Sequence, residues 1–145
     1  MIESFKKTLA PDIVVGLVGV GQFGNVLRDA ALNAGCKILL CDPPRSFDEA
    51  DELSETFFGL WGNGMGGCQV TGENLTTFVP LSSLACADVI AIQVPLTDKM
   101  PWPTRSMISK NFLDSCKKNA KIFCFSESTV IAADVRNDSR IILHP

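Results

Sequence analysis

The feature that most constrains this chain is a glycine pattern, Gly19-Val20-Gly21-Gln22-Phe23-Gly24, which separates an apolar run from an amphipathic segment. Residues 13–18 before it are continuously apolar and rich in β-branched side chains, which is typical of a strand buried on both faces of a parallel sheet. Residues 25–33 after it carry apolar side chains at helical spacing, and Gly35 is placed to end that helix. The pattern therefore predicts a strand, a glycine turn and a helix, in that order.

Each glycine of the pattern has a physical reason in a turn that binds a dinucleotide. Gly19 permits the tight turn, Gly21 lets the backbone approach a pyrophosphate, and Gly24 lets the helix pack closely on the strand. The helix N-terminus then offers amide N–H groups and a partial positive charge to the anion. The pattern predicts dinucleotide binding, and a purely structural glycine turn is the alternative.

An acidic residue stands where such a site needs one. Residues 37–42 are predicted to form a second strand that ends in Asp42, 18 residues after Gly24. A carboxylate there accepts hydrogen bonds from the adenosine ribose hydroxyls and repels a 2'-phosphate, which favours NAD over NADP. Arg45 is a feature against this preference for NAD; alternatively, it is an ordinary exposed charge.

The rest of the chain continues an alternation of strands and helices. Strands are indicated at 76–79, 88–95, 121–125 and 140–143, and helices at 47–58, 80–87, 106–117 and 131–135. This order predicts a Rossmann-type α/β fold, a doubly wound parallel sheet in three α/β/α layers. We expect one domain over residues 1–145, with a glycine-rich insertion near 46–77 and without a separate substrate domain.

Composition restricts the partners. With 46% hydrophobic residues, 20% charged residues and a net charge of −3, the chain is of the globular class and has no basic block. Nucleic acid and membrane surfaces are therefore not expected as partners, and no apolar run is long enough to span a bilayer. We expect a small-molecule partner.

The six cysteines carry no C-x-x-C pair, and His144 is the one histidine available to join them. Zinc binding is therefore unsupported, and no metal site is predicted. The cysteines are interpreted as reduced thiols, and the N-terminus has no small-residue cleavage site of a secretory signal. Both observations favour a cytoplasmic location.

Several segments together resemble a known family. They are residues 15–24, Cys41-Asp42-Pro43-Pro44-Arg45, and residues 79–84, 87–90, 94–97 and 103–105. They look like the nucleotide-binding domain of the D-isomer-specific 2-hydroxyacid dehydrogenases, and among these of the erythronate-4-phosphate dehydrogenases, oxidoreductases of pyridoxine biosynthesis. The resemblance spans about residues 15–133, interrupted by the glycine-rich segment, and the C-D-P-P-R string is its most specific part.

The resemblance implies a fuller set of cofactor contacts. Residues matching Gln22 and Phe23 contact the pyrophosphate, the Val94-Pro95-Leu96 loop lies beside the cofactor, and Thr104 is expected to cap a helix across the cleft. The expected NAD-binding residues are Gly19, Gly21, Gln22, Phe23, Gly24, Asp42, Pro43, Arg45, Val94, Pro95, Leu96, Cys124, Phe125 and Ser126.

The chain departs from the family where the chemistry takes place. Glu127 stands where the resemblance implies an arginine that holds the substrate carboxylate, which reverses the charge needed there. The family's catalytic glutamate and histidine have no match, since His144 precedes Pro145 in reversed order. No catalytic residue is assigned. We expect an NAD-binding domain, catalytically incomplete alone, with a phosphorylated hydroxy acid as substrate and a homodimer or partner chain; the alternative is a non-catalytic NAD-binding sensor, regulatory or assembly module.

Overall fold

The structure is a computed structural model that describes residues 1–42 and 78–144. Three of the sequence predictions lie outside these residues: the helix at 47–58, the glycine-rich insertion at 46–77, and the cofactor contacts of Pro43 and Arg45.

A single parallel sheet forms the centre of the described part. Its strands are β1 (Val14–Val18), β2 (Lys37–Cys41), β3 (Val89–Ile92), β4 (Lys121–Cys124) and β5 (Ile141–Leu143), in the spatial order β2-β1-β3-β4-β5. Val15 lies between Ile38 of β2 and Val89 of β3. Phe78 pairs with Leu40 in one parallel bridge at the outer side of β2, where the predicted strand 76–79 falls. The predicted Rossmann-type fold is confirmed.

Helices cover both faces of the sheet. Helix α1 (Ile2–Lys7) and helix α2 (Gln22–Asn33) pack on one face, and a 3-10 helix (Leu81–Cys86) and helix α3 (Lys110–Ser115) pack on the other. Along β1 the side chains alternate between the two cores, because neighbouring residues of a strand point to opposite faces. This gives the three predicted layers.

Several helices differ from the sequence prediction. Residues 131–135, predicted as a helix, form a 3-10 helix only over Ala133–Val135, because Ile131 lies in a bridge with Ile108. Helix α1 was not predicted, yet its Phe5 is fully buried and packs edge-on against Phe123, with ring centroids 5.7 Å apart. The predicted helix at 106–117 shortens to α3, because Ile108 instead pairs with Ile131 in a parallel bridge. The Ser109 hydroxyl then accepts a hydrogen bond from the Phe112 N–H and caps the shorter helix.

The described cysteines divide into two groups. Cys36, Cys41, Cys116 and Cys124 are buried free thiols, as expected. Cys86 is disulfide-bonded, so the prediction of a thiol is wrong there, because spacing along a chain does not show which cysteines the fold brings together. Among the described residues no cluster of acidic, histidine and cysteine side chains could hold a metal ion. None of the helices described is long and apolar enough to cross a membrane.

Candidate nucleotide-binding site

The carboxyl ends of strands β1 to β4 meet at one edge of the sheet. The residues that directly follow these strands are Gly19, Asp42, Gln93 and Phe125. In open parallel α/β sheets, ligands bind in the crevice at this edge. The edge contains most of the residues that the sequence predicts for the cofactor.

Two glycines of the turn are required by the fold. Gly19 has a φ of +90°, and a Cβ there would lie 2.5 Å from the backbone oxygen of Gln93. Its N–H donates a 2.8 Å hydrogen bond to the carbonyl of Cys41 at the end of β2. A Cβ on Gly24 would overlap the carbonyl oxygen of Gly19. Side chains are therefore excluded at both positions even without a ligand.

Gly21 is different, because its own backbone does not demand glycine. It precedes helix α2 with φ −80° and ψ −155°, an extended conformation that any residue adopts. Within the described residues, no side chain caps this helix by a hydrogen bond, so its first N–H groups are not satisfied in that way. Because Gly21 has no side chain, the approach to those N–H groups stays open.

Asp42 lies beside the same turn. The residue is 8% exposed, and its Oδ2 accepts a 2.6 Å hydrogen bond from the backbone N–H of Val20. This contact joins the end of β2 to the middle of the glycine turn. The carboxylate is thereby fixed at the position where the sequence analysis expects a ribose acceptor.

Aromatic contacts connect the helix N-terminus with the loop after β4. Phe23, 40% exposed, packs edge-on against Phe125 with ring centroids 5.0 Å apart. Phe125 in turn stacks on Phe123 of β4 at 6.5 Å. Gln22 is exposed at the first position of α2. The two residues predicted to contact a pyrophosphate therefore lie at the surface of this edge.

The loop after β3 is held by two hydroxyl side chains. The Ser126 Oγ accepts a 2.7 Å hydrogen bond from the Val94 N–H. The buried Thr104 hydroxyl donates to the carbonyl of Pro95 at 2.7 Å and accepts from the Thr97 N–H at 2.9 Å. The expectation that Thr104 caps a helix is wrong, since no helix begins at that residue; it fixes the loop instead.

The segment after β4 combines a buried thiol with an exposed carboxylate. Cys124 is fully buried, and burial raises the pKa of its thiol, so it is a packing residue of this edge rather than a reactive group. Glu127 is exposed. The pKa of Arg105 is raised chiefly by its paired hydrogen bonds to Asp98, at 2.8 and 3.2 Å, with a smaller contribution from Glu127.

The structure brings the predicted contacts together on three segments. These are the turn at 19–24 with Asp42, the loop at 94–96, and residues 124–126. Sequence reasoning missed Gln93, whose side-chain Nε2 donates a 2.5 Å hydrogen bond to the Gly19 carbonyl. The available signal was a single amide side chain directly after a fully apolar strand, which by itself indicates no role.

No protein-family model matches the chain. In sequence it is similar to erythronate-4-phosphate dehydrogenases. That of Porphyromonas gingivalis is 36% identical over 104 residues, which is 71% of this chain and 22% of the relative. That of Salinibacter ruber is 32% identical over 122 residues, 83% of this chain and 26% of the relative. The chain thus spans about a quarter of the length of these relatives.

Solved structures share the fold. A phosphoglycerate oxidoreductase from Vibrio cholerae superimposes with a TM-score of 0.60 at 18% identity, over 92% of this chain and 36% of that one. A D-isomer-specific 2-hydroxyacid dehydrogenase from Lactobacillus delbrueckii, solved with NAD, gives 0.56 at 18% identity, over 90% and 35%. At such identities the likeness establishes the common architecture.

Proposed function

Because this chain is a homologue of one segment of the erythronate-4-phosphate dehydrogenases, we propose that it is a nucleotide-binding domain of that type. In this proposal residues 1–145 form a single domain with an insertion near 46–77, and a nicotinamide dinucleotide binds at the carboxyl edge of the sheet. Solved relatives of the same fold are described as complexes with NAD and with NADPH, which supports this class of cofactor.

The observation that carries the proposal is the contrast between Gly21 and the other two glycines of the turn. Gly19 and Gly24 are fixed by contacts within the fold, whereas Gly21 has an ordinary backbone conformation. A glycine whose backbone conformation is open to any residue, at the start of a helix of 12 residues, fits close approach of a pyrophosphate. The backbone conformation of the turn does not by itself call for glycine there.

NAD is the cofactor we propose, in preference to NADP. The Asp42 carboxylate, held in place by the Val20 N–H, would accept hydrogen bonds from ribose hydroxyls and would repel a 2'-phosphate. The N–H groups at the start of α2 would hold the pyrophosphate, and residues 94–96 would line the cleft beside it. When bound, the cofactor supplies the hydride acceptor for oxidation of a 2-hydroxy acid.

The proposed substrate is a phosphorylated 2-hydroxy acid, with the remaining catalytic groups supplied by a homodimer or a partner chain. A role in pyridoxine biosynthesis belongs to the same proposal. So does a cytoplasmic location, with which the disulfide bond of Cys86 does not agree. A second candidate, a non-catalytic NAD-binding module, is favoured by one observation. Glu127 exposes a carboxylate in the loop after β4, where an anionic substrate would need a cation.

Calorimetric titration with NAD, NADH and NADP tests cofactor binding directly, without assuming a substrate. We expect saturable binding of NAD and NADH, with NADP weaker, and a rise of the melting temperature that follows ligand concentration. Equal affinity for NAD and NADP would contradict the proposed role of Asp42. Absence of binding to all three would refute the proposal.

A further inference from the structure

Gln93 lies beside the glycine turn of the candidate site and makes a hydrogen bond to the first of its glycines. Its side-chain Nε2 donates a 2.5 Å hydrogen bond to the Gly19 carbonyl, and its own backbone oxygen would lie 2.5 Å from a Cβ on Gly19. The same Nε2 would lie 3.4 Å from a Cβ on Gly24. One side chain therefore fixes the peptide that begins the turn and packs beside its end.

The same residue also belongs to the second predicted cofactor segment. Gln93 directly follows β3, and its N–H donates a 2.9 Å hydrogen bond to the Val18 carbonyl at the end of β1. The next residue, Val94, begins the loop held by Ser126. A shift of Gln93 would thus displace the glycine turn and this loop together.

The amide is poorly explained by stability alone. Its Oε1 is buried, and among the described residues it has no hydrogen-bond partner. A buried acceptor left without a partner costs free energy, which offsets what the Nε2 bond contributes. If this position served folding alone, an apolar side chain of similar size, such as methionine, would suit it better than glutamine.

We infer that Gln93 is a positioning residue, which holds the glycine turn in the shape that binds a dinucleotide. The inference rests on the proposed function. Gln93 makes no contact with the cofactor in this proposal, because its amide acts through the Gly19 carbonyl. Its effect on cofactor binding can therefore be separated from any effect on folding.

Two substitutions test this. Gln93→Met keeps the size and removes the donor, so we expect NAD to bind about tenfold more weakly, a loss typical of one hydrogen bond, while the melting temperature without ligand is unchanged or higher. Gln93→Glu keeps the shape, but its ionised form cannot donate. Binding should be weak near about pH 8 and should recover towards about pH 5, because burial raises the pKa of a glutamate and its protonated form donates again.

The references are the unaltered protein and Ile90→Val, a fully buried change in β3, three residues before Gln93, that lowers stability and leaves the Gln93 amide in place. All other titratable groups are present in every variant, so the unaltered protein reports any pH dependence that does not come from residue 93. If the unaltered protein fails to bind NAD, the proposed function fails. If it binds and Gln93→Met binds equally well, or loses affinity only in proportion to lost stability as Ile90→Val does, the inference about Gln93 is wrong.

Discussion

The carboxylate of Asp42 accepts a 2.6 Å hydrogen bond from the backbone N–H of Val20, which ties the end of one strand to the turn that follows its neighbour. A residue expected to recognise ribose is therefore also part of the scaffold. Removing its side chain would leave the Val20 N–H without this acceptor. The two roles have to be separated by the choice of substitution.

We expect Asp42→Asn to relax the preference for NAD over NADP with little change in stability. The asparagine oxygen still accepts from Val20, whereas the negative charge that opposes a 2'-phosphate is gone. Asp42→Ala should also lose about 1 kcal/mol of stability, since the N–H loses its partner. Titration with both nucleotides, together with urea denaturation, separates the two variants. An unchanged NAD/NADP ratio in Asp42→Asn would assign Asp42 to the scaffold alone.

We expect Gly21→Val to abolish NAD binding while the protein still folds. Any residue can adopt the backbone conformation of Gly21, so the substitution should lower the free energy of unfolding by about 1 kcal/mol. This is the usual difference between good and poor residues at the position before a helix. The branched side chain would occupy the approach to the helix N-terminus. Circular dichroism and a thermal shift with NAD measure the two effects.

Gly19→Ala is the matched control for that substitution. It should destabilise the protein itself, because a Cβ would meet the Gln93 backbone oxygen at a φ of +90°. Undiminished NAD binding by Gly21→Val would show that the glycine turn is structural only.

The sequence predicted the sheet better than the helices. The strands of the parallel sheet are apolar runs, preceded in β2 and β4 by one exposed lysine, so the predictions at 13–18 and 37–42 agree with β1 and β2 to within one residue at each end. The prediction at 88–95 extends three residues beyond β3. Helix α1 was not predicted, because its stability comes from the packing of Phe5 against Phe123, two residues that are distant in sequence. The segment 106–117 has helical spacing, but pairing of Ile108 with Ile131 prevents the first turn.

The candidate site divides in the same way. Gly19 and Asp42 could be predicted, because their roles depend on their spacing from a neighbouring strand or helix, and that spacing is visible in the sequence. Gln93 and Thr104 act through side-chain hydrogen bonds to backbone groups of other residues, which only the folded chain brings near. No periodicity marks such residues, so sequence reasoning missed the first and assigned the wrong role to the second.

An ion pair near β5 predicts a specific acid sensitivity. The Arg140 guanidinium donates hydrogen bonds of 2.9 and 2.7 Å to the two carboxylate oxygens of Asp138, and these lower the pKa of Asp138 from 3.8 to about 2. The same guanidinium donates to the Leu113 carbonyl in the last turn of α3, at 2.9 Å. The pair therefore joins α3 to the segment that leads into β5.

Because the pKa of Asp138 is lower in the folded state, its contribution to stability is complete above the ordinary value of 3.8 and is lost as the pH falls towards about 2. We expect a loss of about 1 kcal/mol from this group after solvent screening. Asp138→Asn should lack this step. Urea denaturation of both proteins across that pH range measures the difference. If the free energy of unfolding falls equally with pH in both proteins, the ion pair contributes nothing to stability.

The last prediction concerns turnover: we expect the 145-residue chain to bind NAD without oxidising 4-phosphoerythronate. Oxidation of a 2-hydroxy acid needs a base for the hydroxyl proton, worth ~10² to 10⁴ in rate, and a cation for the carboxylate. Glu127 exposes the opposite charge in the loop after β4. Glu127→Arg should therefore strengthen binding of the substrate anion in the presence of NAD, yet still give no turnover, because it supplies no base. NADH absorbance with the purified protein measures this, and turnover by the unaltered chain that disappears in His144→Gln would show that the chain is a dehydrogenase by itself.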